Sequence, residues 1–244
     1  MPAEESYPPY LSSRLAAFYE RAGSVRTLAG SDGSVSLVSA ISPAGGDLTE
    51  PVTRHTQRFT RTFWTLDQSL ASARVFPAIS TRESYSDVPP GLLAWWHSVR
   101  PDWPVWRQDA LALLDEAHRL EATARLVGTE SLPERQQFVL RVARLFEEGF
   151  LRQSAFDPGD AFCAPARQCA LLHLLMRVRD RGLLALERGL QARVVGALPE
   201  MAQIERAKTT AADDAALDAL ASAFNGACER LEAALAADRA EVSS

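Results

Sequence analysis

Lysine is nearly missing from this chain. Of 26 basic residues among 244, only Lys208 is a lysine. A phosphate-binding loop of the form G-x-x-x-x-G-K-[ST] uses a lysine directly after a glycine to reach the terminal phosphates of a nucleotide. Lys208 follows Ala207 inside a helical pattern, so no such loop is present and the chain by itself is expected not to hydrolyse ATP. Cysteine is scarce too: Cys163, Cys169 and Cys228 form an odd, widely spaced set without a C-x-x-C pair. That pattern suits neither a disulfide scaffold nor a zinc site and points to a reducing, cytoplasmic setting. Long apolar runs are absent; Cys169 to Met176 is interrupted by His173 and is too short to span a bilayer. The first ten residues, MPAEESYPPY, lack the basic flank and apolar stretch of a signal peptide. Basic charge is not in excess either. The acids number 31 and the net charge is -5, which argues against a nucleic-acid partner, since that needs a basic face.

What is present is a chain long enough for a real core, with 47% apolar and 23% charged residues. At this length a folded chain buries roughly 70–75% of its unfolded surface. Pro8 and Pro9 suit a helix start, Leu11, Leu15, Phe18 and Tyr19 recur at helical spacing, and Gly23 stands where a C-terminal cap belongs. Ser24–Leu28 and Ser34–Ile41 read as strands around a Ser31-Asp32-Gly33 turn. Two strands are marginal in water, so the hairpin calls for a larger sheet that the rest of the chain does not supply. After the Pro43–Asp47 turn cluster the period becomes helical. Asp47 or Thr49 could cap a segment through Ala73, and Pro77 and Pro89-Pro90 break the next stretch. Val105, Leu111, Leu114, Ala117, Leu120, Ala124 and Val127 describe the apolar stripe of a long helix from Pro104. Helices are then expected over Glu134–Arg152 (ended by Asp157-Pro158-Gly159), Pro165–Gly189, Val194–Lys208 and Asp213–Asp238. The fold class is mainly α with a small β-hairpin.

Most chemistry-bearing side chains read as structural. His55, His97, His118 and His173 have no ligand spacing, and no serine sits in a G-x-S-x-G elbow. Asp47 and Glu50, between strand and helix, suit turn and capping roles better than paired-carboxylate chemistry. Cys163 precedes a helix start, whose dipole could lower its pKa, although a structural cysteine fits the same pattern. Trp95, Trp96, Trp103 and Trp106 read as packing at a helix junction, with a partner surface as the other reading.

One combination of motifs is specific. The chain reads GSVSLVSAISPAGGD, TEPVTR, FWTLDQSLA and VFPAIS--ESYS between Gly33 and Ser86, FLRQSAFDPGDAFC from Phe150 to Cys163, and LPEMAQIERAKT from Leu198 to Thr209. At the same spacings it resembles the C-terminal part of the catalytic A-type polypeptide of V/A-type rotary ATPases, relatives of the F-type β polypeptide. Ser6–Gly23 has its counterpart there too. The family patterns are GSVTIVGAVSPPGGD, SEPVTQ, FW-LD--LA, HFPAINW--SYS, FLQQNAF--VDAYC and LP-LERI-RAKY. The resemblance implies the edge of a RecA-like nucleotide domain over residues 1–88, followed by an α-helical C-terminal domain over 89–244. It implies that Phe76 and Phe156, with the adjoining Pro77 and Ala155, form the adenine side of an ATP or ADP pocket. No catalytic or metal-binding residue is implied here: the phosphate loop, catalytic glutamate and magnesium-orienting aspartate of the family lie upstream of the position matching Met1. A misplaced start, a broken gene or a split polypeptide would account for that. The implied partners are non-catalytic B-type subunits and the central stalk, the latter through the helical tip Gly128–Arg135, with the membrane reached only through the complex. The expected location is cytoplasmic and peripheral to the membrane. The departures are Ser80-Thr81 for the Asn-Trp of INW, Ser154 for the Asn before AF, and Gly159 for Val before Asp160; they are expected near the nucleotide. The alternative is a non-catalytic helical interaction protein derived from the same ancestor.

Overall fold

The computed structural model describes residues 7–242, so Ser6 and the rest of the N-terminus before it lie outside the described residues. The chain divides into two compact units. One comprises Met1–Asp67 and Ile79–Val88, the other Gln68–Ala78 and Pro89–Ser244.

In the first unit, α1 (Leu11–Tyr19) packs on α2 (Pro51–Phe59), between which lie strands β1 (Gly23–Arg26) and β2 (Asp32–Val35). Gly23 opens a strand rather than capping α1. The hairpin register runs from Gly23 opposite Val35 to Arg26 opposite Asp32. The turn is therefore Thr27–Ser31, earlier than the Ser31-Asp32-Gly33 expected: Thr27 N–H donates to Ser31 O at 2.8 Å, and Gly30 supplies the positive φ of 82° that the reversal needs. β2 stops at Val35, well short of Ile41, because β1 offers no partner beyond that register. Asp47 neither caps α2 nor pairs with Glu50; it accepts from Thr49 N and Oγ1 at 2.8 and 2.7 Å, and those bonds hold its carboxyl below the usual range. The single helix expected through Ala73 is broken. α2 ends at Phe59, and β3 (Thr62–Phe63) pairs antiparallel with β4 (Tyr85–Ser86), continued by a Leu66–Ile79 bridge. The β-branched and aromatic run Thr60–Thr65 favours a pleated chain over a helix, which its periodicity alone conceals. Tyr85 stacks on Phe63 at 6.0 Å and donates its hydroxyl to Gln57 O at 2.6 Å.

The second unit is helical: α3 (Gln68–Ser72), α4 (Pro90–Val99), α5 (Trp103–Val127), α6 (Glu134–Phe146), α7 (Pro158–Ala161), α8 (Pro165–Glu187), α9 (Ala192–Gly196), α10 (Pro199–Glu205), α11 (Ala207–Thr210) and α12 (Asp214–Val242). α8 is the central rod against which α5, α6 and α12 pack. Leu175 and Val178 of this rod are buried in a core with Phe138, Val142, Leu145, Phe146 and Phe224. Gly182 is required there, since a Cβ on it would lie 2.0 Å from Phe138 Cζ. The buried face of α5 is Trp103, Ala110, Leu113 and Ala117; of the expected stripe, Ala117 is buried, Leu114 and Leu120 pack against the core, and Val105, Leu111 and Val127 face solvent. The stretch expected as one helix over Val194–Lys208 is three, because Pro199 opens a new one and Arg206 lies between α10 and α11. At the α4–α5 junction Trp96 and Trp103 stack at 4.4 Å, and Trp106 stacks on His173 at 4.4 Å. The aromatic cluster is thus mainly packing, with Trp95 left exposed. Glu232 on α12 pairs with Arg181 of α8 and with Arg188 just after it, each at 2.6 Å. No helix among the described residues is long and apolar enough to cross a membrane.

Candidate functional site

α3 ends in a tight reversal. Arg74 takes a left-handed backbone (φ 57°), and Val75 N–H returns to Leu70 O at 2.9 Å, which turns the chain so that Phe76 follows immediately, joined to Pro77 by a cis peptide. Across from it, α6 runs into one π-helical turn, Glu147–Leu151, and stops. Arg152 is extended, so the helix ends at Leu151, within a residue of the expected Arg152, and the Asp157-Pro158-Gly159 turn lies beyond it. Asp157 instead starts α7, accepting from Gly159 N at 2.8 Å and Asp160 N at 3.3 Å, with Pro158 in the first turn.

The two segments are joined where Gln153 N–H donates to Phe76 O at 3.0 Å. Between them lies an open cavity of about 590 Å³, lined by Arg74, Phe76, Pro77, Arg152, Ala155 and Phe156 among others. All four residues singled out from the sequence, Phe76, Pro77, Ala155 and Phe156, therefore share one wall-and-floor arrangement. Phe156 is 99% exposed and Phe76 54%, although each is a large apolar ring. Presented faces of this kind suit offset stacking on a planar base, which needs a π-surface and no fixed hydrogen-bond pattern. The volume falls within the range of small-molecule pockets, roughly 300–1,000 Å³.

Under the cavity sits the sole lysine. Lys208 Nζ is 3.1 Å from Asp160 Oδ2, with the two side chains only 9% and 3% exposed, and it also donates to Arg152 O. Asp160 Oδ2 accepts from Ser154 N–H at 2.6 Å. The lysine is thus committed to a buried carboxylate. Sequence reasoning misses its role, and those of Asp160, Arg74 and Arg152; the only signal is that Lys208 has no counterpart elsewhere in the chain. Of the departures from the family pattern, Ser154 lines the cavity, while Ser80 and Thr81 do not; Ser80 is buried in the first unit, its N–H on Thr65 O at 2.8 Å. Burial pushes the Cys163 thiol up, with Arg167 opposing. Among the described residues no three His, Cys, Asp or Glu side chains converge as a metal-ligand cluster.

The helical tip is built from Gly128 (φ 83°), a short turn over Thr129–Ser131, and buried Leu132. Arg135 bridges back to Glu116, while Leu126 and Val127 stand exposed.

Residues 1–86 match the family model described as the ATP synthase alpha/beta family, nucleotide-binding domain, and residues 93–191 match the C-terminal domain of V and A type ATP synthase. The chain is 49% identical over 210 residues to the V-type ATP synthase alpha chain of Nitrosococcus oceani, a match that covers 86% of this chain and 36% of that one. It is 44% identical over 212 residues to the corresponding A-type ATP synthase polypeptide of Pyrococcus horikoshii, covering 85% of this chain and 22% of the relative. Against the A-type ATP synthase counterpart in Haloferax volcanii the identity is 44% over 207 residues, covering 84% and 35%. The chain therefore spans about a fifth to a third of the length of these relatives. Among solved structures, a unique ATP synthase subunit from Nanoarchaeum equitans superposes with a TM-score of 0.59 at 23% identity over 73% of this chain and 43% of that one, a likeness of fold.

Proposed function

Because the chain belongs to the V- and A-type ATP synthase alpha-chain family and matches the C-terminal part of its members, we propose that it supplies the adenine side of a nucleotide pocket in a rotary ATP synthase or ATPase. Residues 1–88 would form the edge of the nucleotide domain and 89–244 its helical neighbour. The observation that carries the reading is the convergence of Phe76, Pro77, Ala155 and Phe156 on one cavity. The ligand is ATP or ADP, held here by its base. Phosphoryl transfer depends on a lysine, a metal and an in-line water. The one lysine is buried against Asp160, so those parts come from sequence that this chain does not contain, magnesium with them. The partners are other members of the complex: B-type subunits, and the central stalk facing the tip Gly128–Arg135, beside which the exposed Leu126 and Val127 at the end of α5 form an apolar shoulder. This assigns the chain to the soluble head, peripheral to the membrane, with hydrolysis or synthesis coupled to proton or sodium movement.

The test is a chimera joining this chain to the preceding part of the Nitrosococcus oceani alpha chain, titrated with fluorescent ADP. Phe76→Ala and Phe156→Ala each remove a stacking face and no phosphate ligand. Each is expected to cost roughly 1–3 kcal/mol of affinity, about 5- to 150-fold, with turnover at saturation less affected. Unchanged affinity in both, with the fold intact, would sink the base-pocket reading and favour a chain that acts only as a helical partner of its neighbours.

A further inference from the structure

Resting on the base-pocket reading, we propose that Lys208 and Asp160 are positioning residues that latch the loop carrying Ala155 and Phe156, and so set where the base is gripped. Three bonds close on this loop from beneath. Lys208 Nζ meets Arg152 O at its start and Asp160 Oδ2 at its end, and the same Oδ2 takes the Ser154 N–H at 2.6 Å. Phe156, fully exposed, has no packing of its own to fix its place. Its position is inherited from the backbone on either side.

The platform under the latch is rigid. α11 is only one turn long, but Ala207 is fully buried and Arg167 of α8 reaches past it, Nη2 lying 3.4 Å from Ala207 O and 2.5 Å from Ala211 O. The carbonyls on both sides of Lys208 are thereby tied to the central helix. A chain of contacts runs from α8 through Arg167, α11, Lys208 and Asp160 to the cavity wall.

A buried pair of this sort is a poor source of stability, because desolvating both charges offsets most of their attraction. Here the cost is higher, since Asp160 Oδ1 is buried without a hydrogen-bond partner. What the pair supplies is direction. Apolar packing would hold the loop to the helices at many orientations; three hydrogen bonds from one ammonium and one carboxylate hold it at one. Preorganising a binding loop in this way removes part of the ordering cost that a ligand otherwise meets.

The experiment compares the full chain with Lys208→Met, Lys208→Arg and the neutral double variant Lys208→Met/Asp160→Asn. Lys208→Met leaves a buried charge unpaired and should lower the unfolding midpoint; the double variant removes that charge and should restore the midpoint. Loop order should not return with it. Amide exchange at Ser154 and Phe156 should be about tenfold faster in both Met variants, with α5, α6 and α8 unchanged, and Lys208→Arg, which keeps the charge, should recover part of the protection. In the chimera both Met variants should bind ADP roughly tenfold more weakly yet bind pyrophosphate as before. Loop exchange that recovers together with the midpoint in the double variant would show a structural pair only and overturn the proposal. So would equal losses for ADP and pyrophosphate. If Phe156→Ala leaves ADP binding unchanged, the base-pocket reading fails and the nucleotide half of the proposal with it, while loop exchange still decides whether the latch exists.

Discussion

The two units differ in how many apolar side chains they withdraw from water. In the hairpin-bearing unit the residues withdrawn from water are Pro51, Thr53, Thr56, Thr65 and Ser80, while Val25, Leu28, Val35, Val38, Trp64 and Leu66 stand exposed. In the helical unit the buried surroundings of α8 are mostly aliphatic and aromatic, Phe138, Phe146 and Phe224 among them, beside the Arg181–Glu232 ion pair. Among the described residues, each buried aliphatic or aromatic side chain other than Pro51 lies at or beyond Trp103. Thr53, Thr56 and Thr65 even keep their buried hydroxyls without a hydrogen-bond partner, at a cost of about 1–3 kcal/mol each. The first unit is therefore a surface without a core, and its hydrophobic effect is left unused within this chain. Antiparallel strands with apolar side chains on open faces are templates for pairing.

Hydrogen exchange is the widest test of that contrast. Amides of β1 and β2 should exchange about a thousandfold faster than those of α6 and α8 in the monomeric chain. Equal protection in both would mean that the hairpin has found a partner and that the contrast is wrong.

Truncation should separate the units almost as sharply. Phe138→Ala is expected to destabilise the helical unit by about 3–5 kcal/mol, whereas Val35→Ala in the hairpin should change stability by no more than about 0.5 kcal/mol. Chemical denaturation of both variants measures it. A Val35→Ala cost approaching that of Phe138→Ala would reveal a core in the first unit.

Overpacking should be felt less than truncation. Gly182→Ala places a methyl group against the Phe138 ring, and should cost about 1–3 kcal/mol as the ring is pushed off its seat. A neutral result would show that the α6–α8 interface can slide.

The smallest effect is electrostatic. Burial, and then Arg177 and Arg100, push the His173 pKa below its ordinary 6.5, with Asp218 and Asp102 opposing. The unfolded chain then takes up this proton before the folded one does, so the stabilising contribution is complete above about pH 6.5 and declines as the pH falls below it. His173→Gln should flatten the fall in unfolding midpoint over that range. A variant that keeps the full slope would put the titrating group elsewhere.

Much of the helical unit is legible because its turns are written in local chemistry. Pro104 near the start of α5, Gly128 after it, Pro133 before α6 and Pro165 at α8 mark boundaries that the structure keeps. Periodicity misleads where a competing signal is ignored. The stretch Thr60–Thr65 scans as helix until its β-branched residues find Tyr85 and Ser86, a pairing across more than twenty positions. On α5 the middle of the expected stripe, Leu114, Ala117 and Leu120, meets the core, while Trp103, stacked on Trp96, is buried at a position that the stripe leaves out. Phe76, Pro77, Ala155 and Phe156 stand out by motif, and the cavity that they share cannot be seen from their spacing. Arg74, Arg152, Asp160 and Lys208 carry no such motif.

The sequence by itself determined the family, the helical character and the lack of a phosphate loop, because motifs, Pro and Gly boundaries and a missing lysine are properties of the chain read in order. Tertiary structure alone decided that α3 and the end of α6 meet at Phe76 and Gln153, and that the one lysine is spent on Asp160 beneath them. Local propensity acts over a few residues. Charge pairing in a dry interior acts between whatever residues the fold brings within about 4 Å, and no spacing rule records which those are.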